Sequence, residues 1–281
     1  MAALRPIEEI AGLFRDGMTV GIGGWGSRRK PMALLRELVR SGARDLTVVT
    51  FGGPDAGILC ATGQAARIVH GFVSLDSIPI DPHFAAARRR GVVATTELDE
   101  AMLVAGLRAA SRRLPFEALR NGIGSDAVTE NPEILTIVSP YDDGETLVAM
   151  PAIPLDIALV HVEQSDGVGN AQCLGPDPFF DEIMARAATL TVVSAERIVG
   201  TEQLAAAHPS TLILNRTETG VVTAAPGGAG FTALLPEYPR DEEAQREYAD
   251  SARDAQAWQR YLERYLDGGD AVSAAEGGEA R

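Results

Sequence analysis

A glycine-rich stretch followed by a run of cations offers the clearest chemistry in this sequence. Residues 23–26 have the sequence GGWG, and Ser27-Arg28-Arg29-Lys30 follows directly. Glycine lets a backbone turn sharply and approach a ligand closely. Hydroxyl and guanidinium groups suit a ligand that carries a negative charge or a carbonyl group. We therefore expect this stretch to bind substrate through Gly24, Trp25, Gly26, Ser27, Arg28 and Arg29.

Three carboxylates form a second group that could do acid–base chemistry. Glu97, Asp99 and Glu100 follow a predicted strand at its carboxyl end, where open α/β sheets bind their ligands. A partly buried carboxylate there would have a raised pKa and could act as a general acid or base. Acidic residues at the start of a helix are also favoured by the helix dipole, so capping is the simpler explanation for any one of them.

Two other interpretations of the glycine-rich stretch stay open. Residues 21–26 match G-x-G-x-x-G, which is typical of dinucleotide-binding folds. That fold also needs an acidic residue at the end of its second strand, and the predicted second strand, Asp45–Phe51, ends without one. A helix that begins near Pro31 also starts too late to include Gly26 in its first turn. A tight turn that binds nothing is the other alternative.

Nucleophilic and metal chemistry find little support. Residues 122–126, GIGSD, lack the last glycine of a G-x-S-x-G nucleophile elbow. His161-Val162-Glu163 resembles the start of a zinc deaminase motif, but no P-C-x-x-C follows it. The four histidines are scattered along the chain at His70, His83, His161 and His208. We expect them to be structural, and we expect no metal site.

The pattern of apolar runs and turns predicts the elements that hold these residues. A buried strand, Thr19–Ile22, leads into the glycine-rich stretch, and a helix follows from Pro31. Strands and helices alternate over residues 1–115, which predicts an α/β fold with an open, mostly parallel sheet flanked by helices. Two strands at 134–138 and 146–150 predict a β-hairpin at one edge of that sheet.

The same pattern divides the chain into one domain and a C-terminal extension. No linker splits residues 1–235, and we predict residues 1–240 to form a single α/β domain. Residues 241–267 predict one helix with an aromatic stripe, which suits packing better than cofactor binding. Residues 268–281 have the composition of a disordered tail.

Composition excludes several classes of partner. The 281-residue chain has a formal net charge of −14, which argues against nucleic acid or an anionic membrane. No apolar run reaches the roughly 18 residues of a membrane span, and no signal peptide is visible. The two cysteines, Cys60 and Cys173, form no close-spaced motif, which favours reduced thiols. We expect a cytoplasmic protein.

A set of short motifs resembles the class I coenzyme A transferases. Asp16-Gly17, the apolar strand after it, Gly23-Gly24-Trp25 and Pro31 resemble the first signature of that family. Three further motifs resemble the α subunits of glutaconate CoA-transferases: Leu114-Pro115-Phe116, His161 with Asp166-Gly167, and Pro226-x-Gly228-Ala229. The resemblance covers about residues 5–235 and implies the class I CoA-transferase fold. The family's catalytic glutamate lies in a Ser-Glu-Asn-Gly motif of the β subunit, which this chain lacks. The resemblance therefore implies an α subunit that works with a β subunit of the same family, in an α2β2 heterotetramer.

A closer resemblance is to a hydrolase branch of this family. Residues 23–31, 71–77 and 99–103 resemble the α subunits of actinobacterial enzymes of cholesterol catabolism, which use water to open a ring of a CoA thioester. In that branch the α subunit supplies a catalytic glutamate, which the resemblance assigns to Glu100, and it implies a substrate contact for Arg120. Because CoA is part of the substrate, no cofactor is implied.

Three functions remain open at this point. The first is ring cleavage of a CoA thioester with Glu100 as general base, and the second is CoA transfer of the glutaconate or 3-oxoacid type through a partner's glutamate. The third is a binding subunit without catalytic residues.

Overall fold

A large open sheet forms the centre of the molecule. The structure is a computed structural model that describes residues 2–141 and 144–267. In chain order the strands are β1 (Ala3–Leu4), β2 (Thr19–Ile22), β3 (Leu46–Gly52), β4 (Ala65–Val73), β5 (Ala94–Glu97), β6 (Phe116–Leu119), β7 (Leu135–Val138), β8 (Thr146–Pro151), β9 (Leu155–Asp166), β10 (Ala171–Gln172), β11 (Ala188–Val199), β12 (Leu212–Leu214) and β13 (Val221–Ala224).

Helices cover both faces of this sheet. They are α1 (Met32–Ser41), α2 (Pro54–Ala61), α3 (Pro82–Arg90), α4 (Glu100–Ser111), α5 (Asp126–Thr129), α6 (Asp181–Ala187), α7 (Thr201–Ala206), α8 (Glu242–Asp250) and α9 (Ala255–Leu266). On β3, Val48 packs with the cluster that contains α1, α2 and α9, and Val49 packs with the cluster that contains α4 and α6. This alternation is what a strand buried on both faces requires. Within the described ranges, no helix has both the length and the apolar character needed to cross a bilayer.

The order of the strands creates a crevice beside β2. Eight described strands lie parallel in the order β1-β13-β11-β9-β2-β3-β4-β5. The chain proceeds from β2 to β5 towards one edge, and from β9 through β11 to β13 towards the other. The direction therefore reverses between β2 and β9, and open sheets bind ligands at the carboxyl ends of such a pair. The predicted open, mostly parallel α/β sheet is confirmed.

The predicted hairpin is present, but its position at an edge of the main sheet is wrong. β7 and β8 pair antiparallel, and β6 pairs with the other side of β8 to complete a separate three-stranded sheet. Val148 and Met150 of this sheet pack against Met102 of α4. β6 was not predicted from the sequence, because its four residues are too few to show a period. This strand supplies the hydrogen-bond partner that the hairpin was expected to find at an edge of the main sheet.

The C-terminal segment consists of two helices, and the single helix predicted for residues 241–267 is wrong. A 3-10 turn at Ser251–Arg253 separates α8 from α9. Asp254 has an extended backbone, with φ −159° and ψ 164°, and its carboxylate accepts a hydrogen bond from the amide of Ala257. Aspartate in this position caps a new helix and so ends the one before it. The predicted tail, residues 268–281, lies outside the described residues.

This C-terminal hairpin, residues 242–266, shares one hydrophobic core with the rest of the chain. Tyr248 is fully buried and Tyr265 is 1% exposed. The hydroxyl of Tyr248 donates to Asp81 over 2.6 Å, and that of Tyr265 donates to the Met32 carbonyl over 3.0 Å. The aromatic stripe is therefore a packing surface that fixes the hairpin to α1 and α3.

A buried histidine strengthens the same attachment. Nε2 of His83 lies 2.8 Å from the Ser251 hydroxyl, whose proton is donated to the Tyr248 carbonyl, so Nε2 is the donor to Ser251. Burial lowers the pKa of His83 to about 4, with a further small lowering from Arg90. In the same contact region, burial raises the pKa of Asp81 to about 7, against the hydrogen bond from Tyr248.

We predict that His83 lowers the free energy of unfolding at acid pH. Its pKa is lower in the folded chain than the value of about 6.5 in an unfolded chain, so its contribution is complete above pH 6.5 and is lost as the pH falls towards 4. In urea unfolding, the stability difference between wild type and His83→Gln should shrink by on the order of 2 kcal/mol between pH 6.5 and pH 4.5.

The control for this prediction is His208→Gln, which changes an exposed histidine. It should alter the free energy of unfolding by less than about 0.5 kcal/mol at pH 7. A wild-type advantage over His83→Gln that stays constant from pH 6.5 to pH 4.5 would contradict the prediction.

Candidate active site

The glycine segment, residues 23–30, turns across the crevice between β2 and β9. Gly24 and Gly26 have positive φ angles of 75° and 53°. A Cβ atom at Gly24 would lie 2.5 Å from the Arg28 carbonyl oxygen, and one at Gly26 would lie 2.8 Å from a carboxylate oxygen of Asp76. Both positions therefore require glycine for conformation and for space.

The backbone amides of the glycine segment mostly face inwards. The amide of Gly23 donates to Leu159 O, those of Trp25 and Arg28 donate to each other's carbonyls, and that of Gly26 donates to Phe51 O. The amides of Gly24, Arg29 and Lys30 donate to Asp181, Ala233 O and Thr232. Among the described residues, only the Ser27 amide in this segment has no acceptor. The backbone therefore shapes the segment and offers a ligand few donors.

Arg29 is held beneath the segment by a carboxylate from α6. Nη1 of Arg29 lies 2.8 Å from Asp181 Oδ2, and both side chains are at most 4% exposed. No hydrogen bond joins these two atoms; Nη1 donates to the His161 carbonyl and Nη2 donates to the Pro178 carbonyl. Burial lowers the pKa of Arg29, but facing carboxylates, Asp181 first, outweigh it and raise the pKa overall. Arg29 is thus a permanently charged structural link between the segment and the loop before α6.

Lys30 is buried completely on the other side of the segment. Its Nζ lies 3.2 Å from Asp55 and donates to the Thr50 hydroxyl over 2.8 Å. Burial lowers the pKa of this ammonium group, and Asp55 opposes the shift. Lys30 is the only lysine in the sequence, and the structure uses it to fix the segment to α2.

The remaining side chains of the segment present different surfaces. Ser27 is buried and donates to Gln245 of the C-terminal hairpin over 2.5 Å. Trp25 is half-buried and stacks on Phe51, with ring centroids 5.3 Å apart. Arg28 has a side chain that is 49% exposed and pairs with Asp76 over 3.0 Å. Of the three cations, only Arg28 offers a guanidinium group to solvent.

A cavity of about 150 Å³ lies against Arg29. We call it the Arg29 cavity. Its walls include Glu163, Cys173, Phe179, Ala233 and Leu235. Glu163 is fully buried and accepts the amides of Leu174 and Gly175. Burial raises the pKa of Glu163, and Arg29 opposes that shift.

Glu100 is the first residue of α4 and directly follows the helix cap Asp99. Its side chain is exposed on this chain, and its backbone contacts β4, since a Cβ atom at Gly71 would lie 3.8 Å from Glu100 Cα. The next residue on β4, Phe72, packs on Trp25 with ring centroids 4.8 Å apart. Although the side chain is exposed, desolvation by neighbouring atoms raises the pKa of Glu100, and the charges of Asp177 and Asp99 raise it further. Asp177 also lines the Arg29 cavity.

The other predicted carboxylates have local partners. Asp99 caps α4 by accepting the amide of Met102 over 2.8 Å. Glu97 pairs with Arg88 over 3.1 Å, and both side chains are more than half exposed. The capping interpretation therefore holds for Asp99, and Glu97 is part of a surface ion pair.

Arg120 directly follows β6 of the three-stranded sheet. Its guanidinium group, 78% exposed, makes two hydrogen bonds to Glu145. The loop that follows it packs on the first turn of α4, where a Cβ atom at Gly122 would lie 2.7 Å from the Met102 sulfur. Arg120 thus belongs to the side of the molecule that carries Glu100.

His161 takes part in a buried hydrogen-bond chain. Nδ1 lies 2.8 Å from the Ser194 hydroxyl and Nε2 lies 2.9 Å from Glu196, which also accepts the amides of Gly227 and Gly228. Ser194 is fully buried, so it cannot attack a substrate. The arrangement fixes the loop before Phe231 to the sheet. Within the described ranges, no group of His, Cys, Asp and Glu side chains could hold a metal ion.

Sequence comparison assigns the chain to a family. The family described as "Coenzyme A transferase" matches residues 4–215, which is most of the chain. The chain belongs to the coenzyme A transferase family. This agrees with the position of the glycine segment at the switch point of the sheet.

Two relatives in this family are similar over nearly their whole length. The "Cholesterol ring-cleaving hydrolase IpdA subunit" of Rhodococcus jostii is 51% identical over 269 residues, which cover 93% of this chain and 91% of that protein. The protein of the same name from Mycobacterium tuberculosis is 47% identical over 272 residues, with 94% and 93% covered.

Solved structures agree on the fold. Glutaconate coenzyme A-transferase from Acidaminococcus fermentans superposes with a TM-score of 0.89 at 22% identity, covering 96% of this chain and 90% of that chain. A variant of the decarboxylase AibA/AibB superposes with a TM-score of 0.79 at 29% identity, covering 95% and 98%. The coenzyme A transferase fold therefore extends through the described C-terminal hairpin.

Sequence reasoning missed the two acidic residues that organise the site. Asp181 follows the apolar pair Phe179-Phe180, and nothing in its local pattern points to a residue more than 150 positions earlier. Of these two residues, only Glu163 had a signal in the sequence. It is an acidic residue inside a long apolar strand, and such a residue needs a partner if it is buried.

We predict that the Lys30–Asp55 pair stabilises the fold at the glycine segment. Asp55→Ala leaves a buried ammonium group without its counter-charge, which costs about 3–5 kcal/mol. Urea unfolding should show this loss, and adding Lys30→Met to the same protein should recover part of it because no charge is then buried.

The matched control is Glu182→Ala, which removes an exposed partner of Arg186. That change should cost less than about 1 kcal/mol. If Asp55→Ala were no more destabilising than Glu182→Ala, the buried pair would not have the role assigned to it.

Proposed function

We propose that this chain is the α subunit of a hydrolase that cleaves a C–C bond in a ring of a CoA thioester during cholesterol catabolism. The observation that carries the proposal is the 51% and 47% identity to two proteins named as IpdA subunits of a cholesterol ring-cleaving hydrolase. The candidate base in this proposal is Glu100, a carboxylate of raised pKa at the start of α4.

Glu100 acts as the general base in this proposal. Its carboxylate takes a proton from water, and the hydroxide adds to a ring ketone. The bond between that carbon and its neighbour breaks, and the electron pair is held as an enolate by the adjacent carbonyl group. Glu100 then returns the proton to the carbon, which leaves one carboxylic acid and one opened chain. A raised pKa suits this role, because a base works best when its pKa is close to the working pH.

The glycine segment supplies the binding surface. Gly24, Gly26 and Ser27 set its shape through their internal contacts, and Trp25 adds a partly exposed aromatic side chain. Arg28 has the exposed guanidinium group that a CoA phosphate needs. Arg29 faces the Arg29 cavity, and Arg120 contacts the part of the substrate that extends over the three-stranded sheet. The reaction needs no metal or redox cofactor, since water and an acid–base group balance it.

A second subunit completes the site. The supporting observations are the exposure of Glu100 on this chain and the names of its relatives, which are subunits. We propose a β subunit of the same family and an α2β2 assembly in the cytoplasm. Burial of Glu100 by that partner would raise its pKa further.

CoA transfer is the second candidate. It is favoured by similarity to a protein of Pseudomonas knackmussii that is named as one of the subunits of 3-oxoadipate CoA-transferase, 28% identical over 95% of each chain. That reaction would need a glutamate on the partner that forms a thioester with CoA. Borohydride reduction of the αβ complex with an acyl-CoA would trap such an intermediate, whereas hydrolysis through Glu100 would leave nothing to trap.

We predict that Glu100→Gln removes turnover without harming assembly. With the partner co-expressed, kcat for a cyclic CoA thioester should fall by about 10²–10⁴-fold, since general base catalysis is lost. KM should change little, and the acid limb of the pH–rate profile should disappear.

The control is Glu133→Gln, which changes an exposed glutamate paired with Arg67. It should keep kcat within about twofold of wild type. Undiminished turnover in Glu100→Gln would overturn the proposed role of Glu100.

A further inference from the structure

The three-stranded sheet is apolar on the side that faces away from α4. Strand register and alternation place six side chains on that side, which we call the outer face: Phe116 and Ala118 of β6, Leu135 and Ile137 of β7, and Leu147 and Ala149 of β8. The other side carries Val148 and Met150, which pack against α4. An antiparallel sheet with one face in the core normally has a polar second face. An apolar outer face therefore indicates a surface for contact with another protein.

The outer face is open on this chain. Leu135 is 66% exposed and Phe116 is 40% exposed. The six residues belong to none of the hydrophobic clusters of the described core. β7 is also an edge strand, and Val138 at its end is 67% exposed. A bare apolar edge strand promotes aggregation, so proteins normally cover it.

The motif Leu114-Pro115-Phe116 leads directly into the outer face. It is one of the motifs that resemble glutaconate CoA-transferase α subunits, and all three of its residues are exposed. Exposed apolar side chains add little to the core of this chain. A contact with a second protein gives the motif a physical role.

Unpaired cations border the outer face. Arg112 and Arg113 directly precede the motif, both are exposed, and neither takes part in an ion pair among the described residues. Glu117 of β6 is already paired with Arg108. This border therefore carries an excess of positive charge, although the whole chain has a net charge of −14. A partner with an apolar surface and acidic side chains beside it would complement both features.

The same charges disfavour a second copy of this chain as the partner. In a two-fold dimer a surface meets its own copy, so cations would lie beside cations, which is unfavourable. The size of the outer face also matters, because three short strands cover only on the order of 250 Å². A stable interface buries about 800 Å² on each partner, so the outer face can form only the apolar centre of a larger contact.

The three-stranded sheet lies along the helix that carries Glu100. Nε of Arg108 donates to Glu117 over 2.9 Å at one end of α4, and a Cβ atom at Gly122 would lie 2.7 Å from the Met102 sulfur at the other. α4 has 12 residues, beginning with Glu100, and is therefore about 18 Å long. An interface of about 800 Å² is roughly 30 Å across. One partner is therefore large enough to contact both Glu100 and the outer face.

We propose that the outer face packs against the β subunit, on an apolar surface bordered by acidic side chains. The inference rests on the proposed function and deepens it, because it names the part of this chain that holds the partner. The contact places the β subunit over the unit formed by α4 and the three-stranded sheet.

The test uses the full chain co-expressed with its β subunit, with a purification tag on this chain. Leu135→Glu places a charge at the centre of the apolar contact and should weaken binding of the β subunit by about tenfold or more. The matched control is Val92→Glu, since Val92 is 61% exposed and lies before the amino end of β5. It should bind the β subunit like wild type. Both changed residues are exposed, and circular dichroism checks that both variants fold.

A double variant, Arg112→Glu with Arg113→Glu, tests the charge argument. It should weaken binding of the β subunit by about tenfold at about 0.1 M salt and much less at about 1 M, because salt screens exposed charges. Binding at low salt that equals wild type would show that the border of the partner is not acidic and would overturn the inference.

The inference is also overturned if Leu135→Glu retains the β subunit like wild type. A complex that keeps one β subunit per chain but has half the mass in light scattering would show that the outer face binds a second copy, which again overturns it. Glu100→Gln should assemble normally while losing turnover. Full turnover in Glu100→Gln would refute the proposed function, and the outer face would then be judged by the assembly of Leu135→Glu alone.

Discussion

The buried ion pair between Arg29 and Asp181 is the constraint on which the site depends. Removing two charges from water is costly, and close approach alone does not offset that cost. Here Arg29 also donates to two carbonyls, and Asp181 also accepts the Gly24 amide. The pair joins the end of β2 to the start of α6 across the crevice, so it sets the path of the glycine segment and one wall of the Arg29 cavity.

This use of charge changes what the site can recognise. Three consecutive cations suggest a surface for anions, but Arg29 and Lys30 are both neutralised by buried carboxylates. The amides of the segment are also mostly bound inside the chain. If the segment binds substrate as proposed, recognition there would depend mainly on its shape, while Arg28 alone of the three cations presents a charge to solvent.

As the proposed base, Glu100 would give the site an open side, because its side chain is exposed on this chain. The residue stands at the start of α4, at the edge of a surface that also includes the three-stranded sheet and Arg120. The pKa and the solvation of an acid–base group in this position depend on the surface that covers it. The division of the site between a rigid crevice and an open carboxylate is consistent with relatives that are named as subunits.

The sequence alone determined the mostly parallel sheet, the glycine segment at the carboxyl end of a strand and the family resemblance, because these depend on local periods and short motifs. It did not determine the pairing of Arg29 with Asp181, the third strand of the small sheet or the break at Asp254. Those depend on contacts between residues far apart in the chain, or on single caps that no period reveals. Only the tertiary structure decided the role of each cation. A charged side chain forms a structural link or stays available for binding according to which carboxylate the fold places beside it.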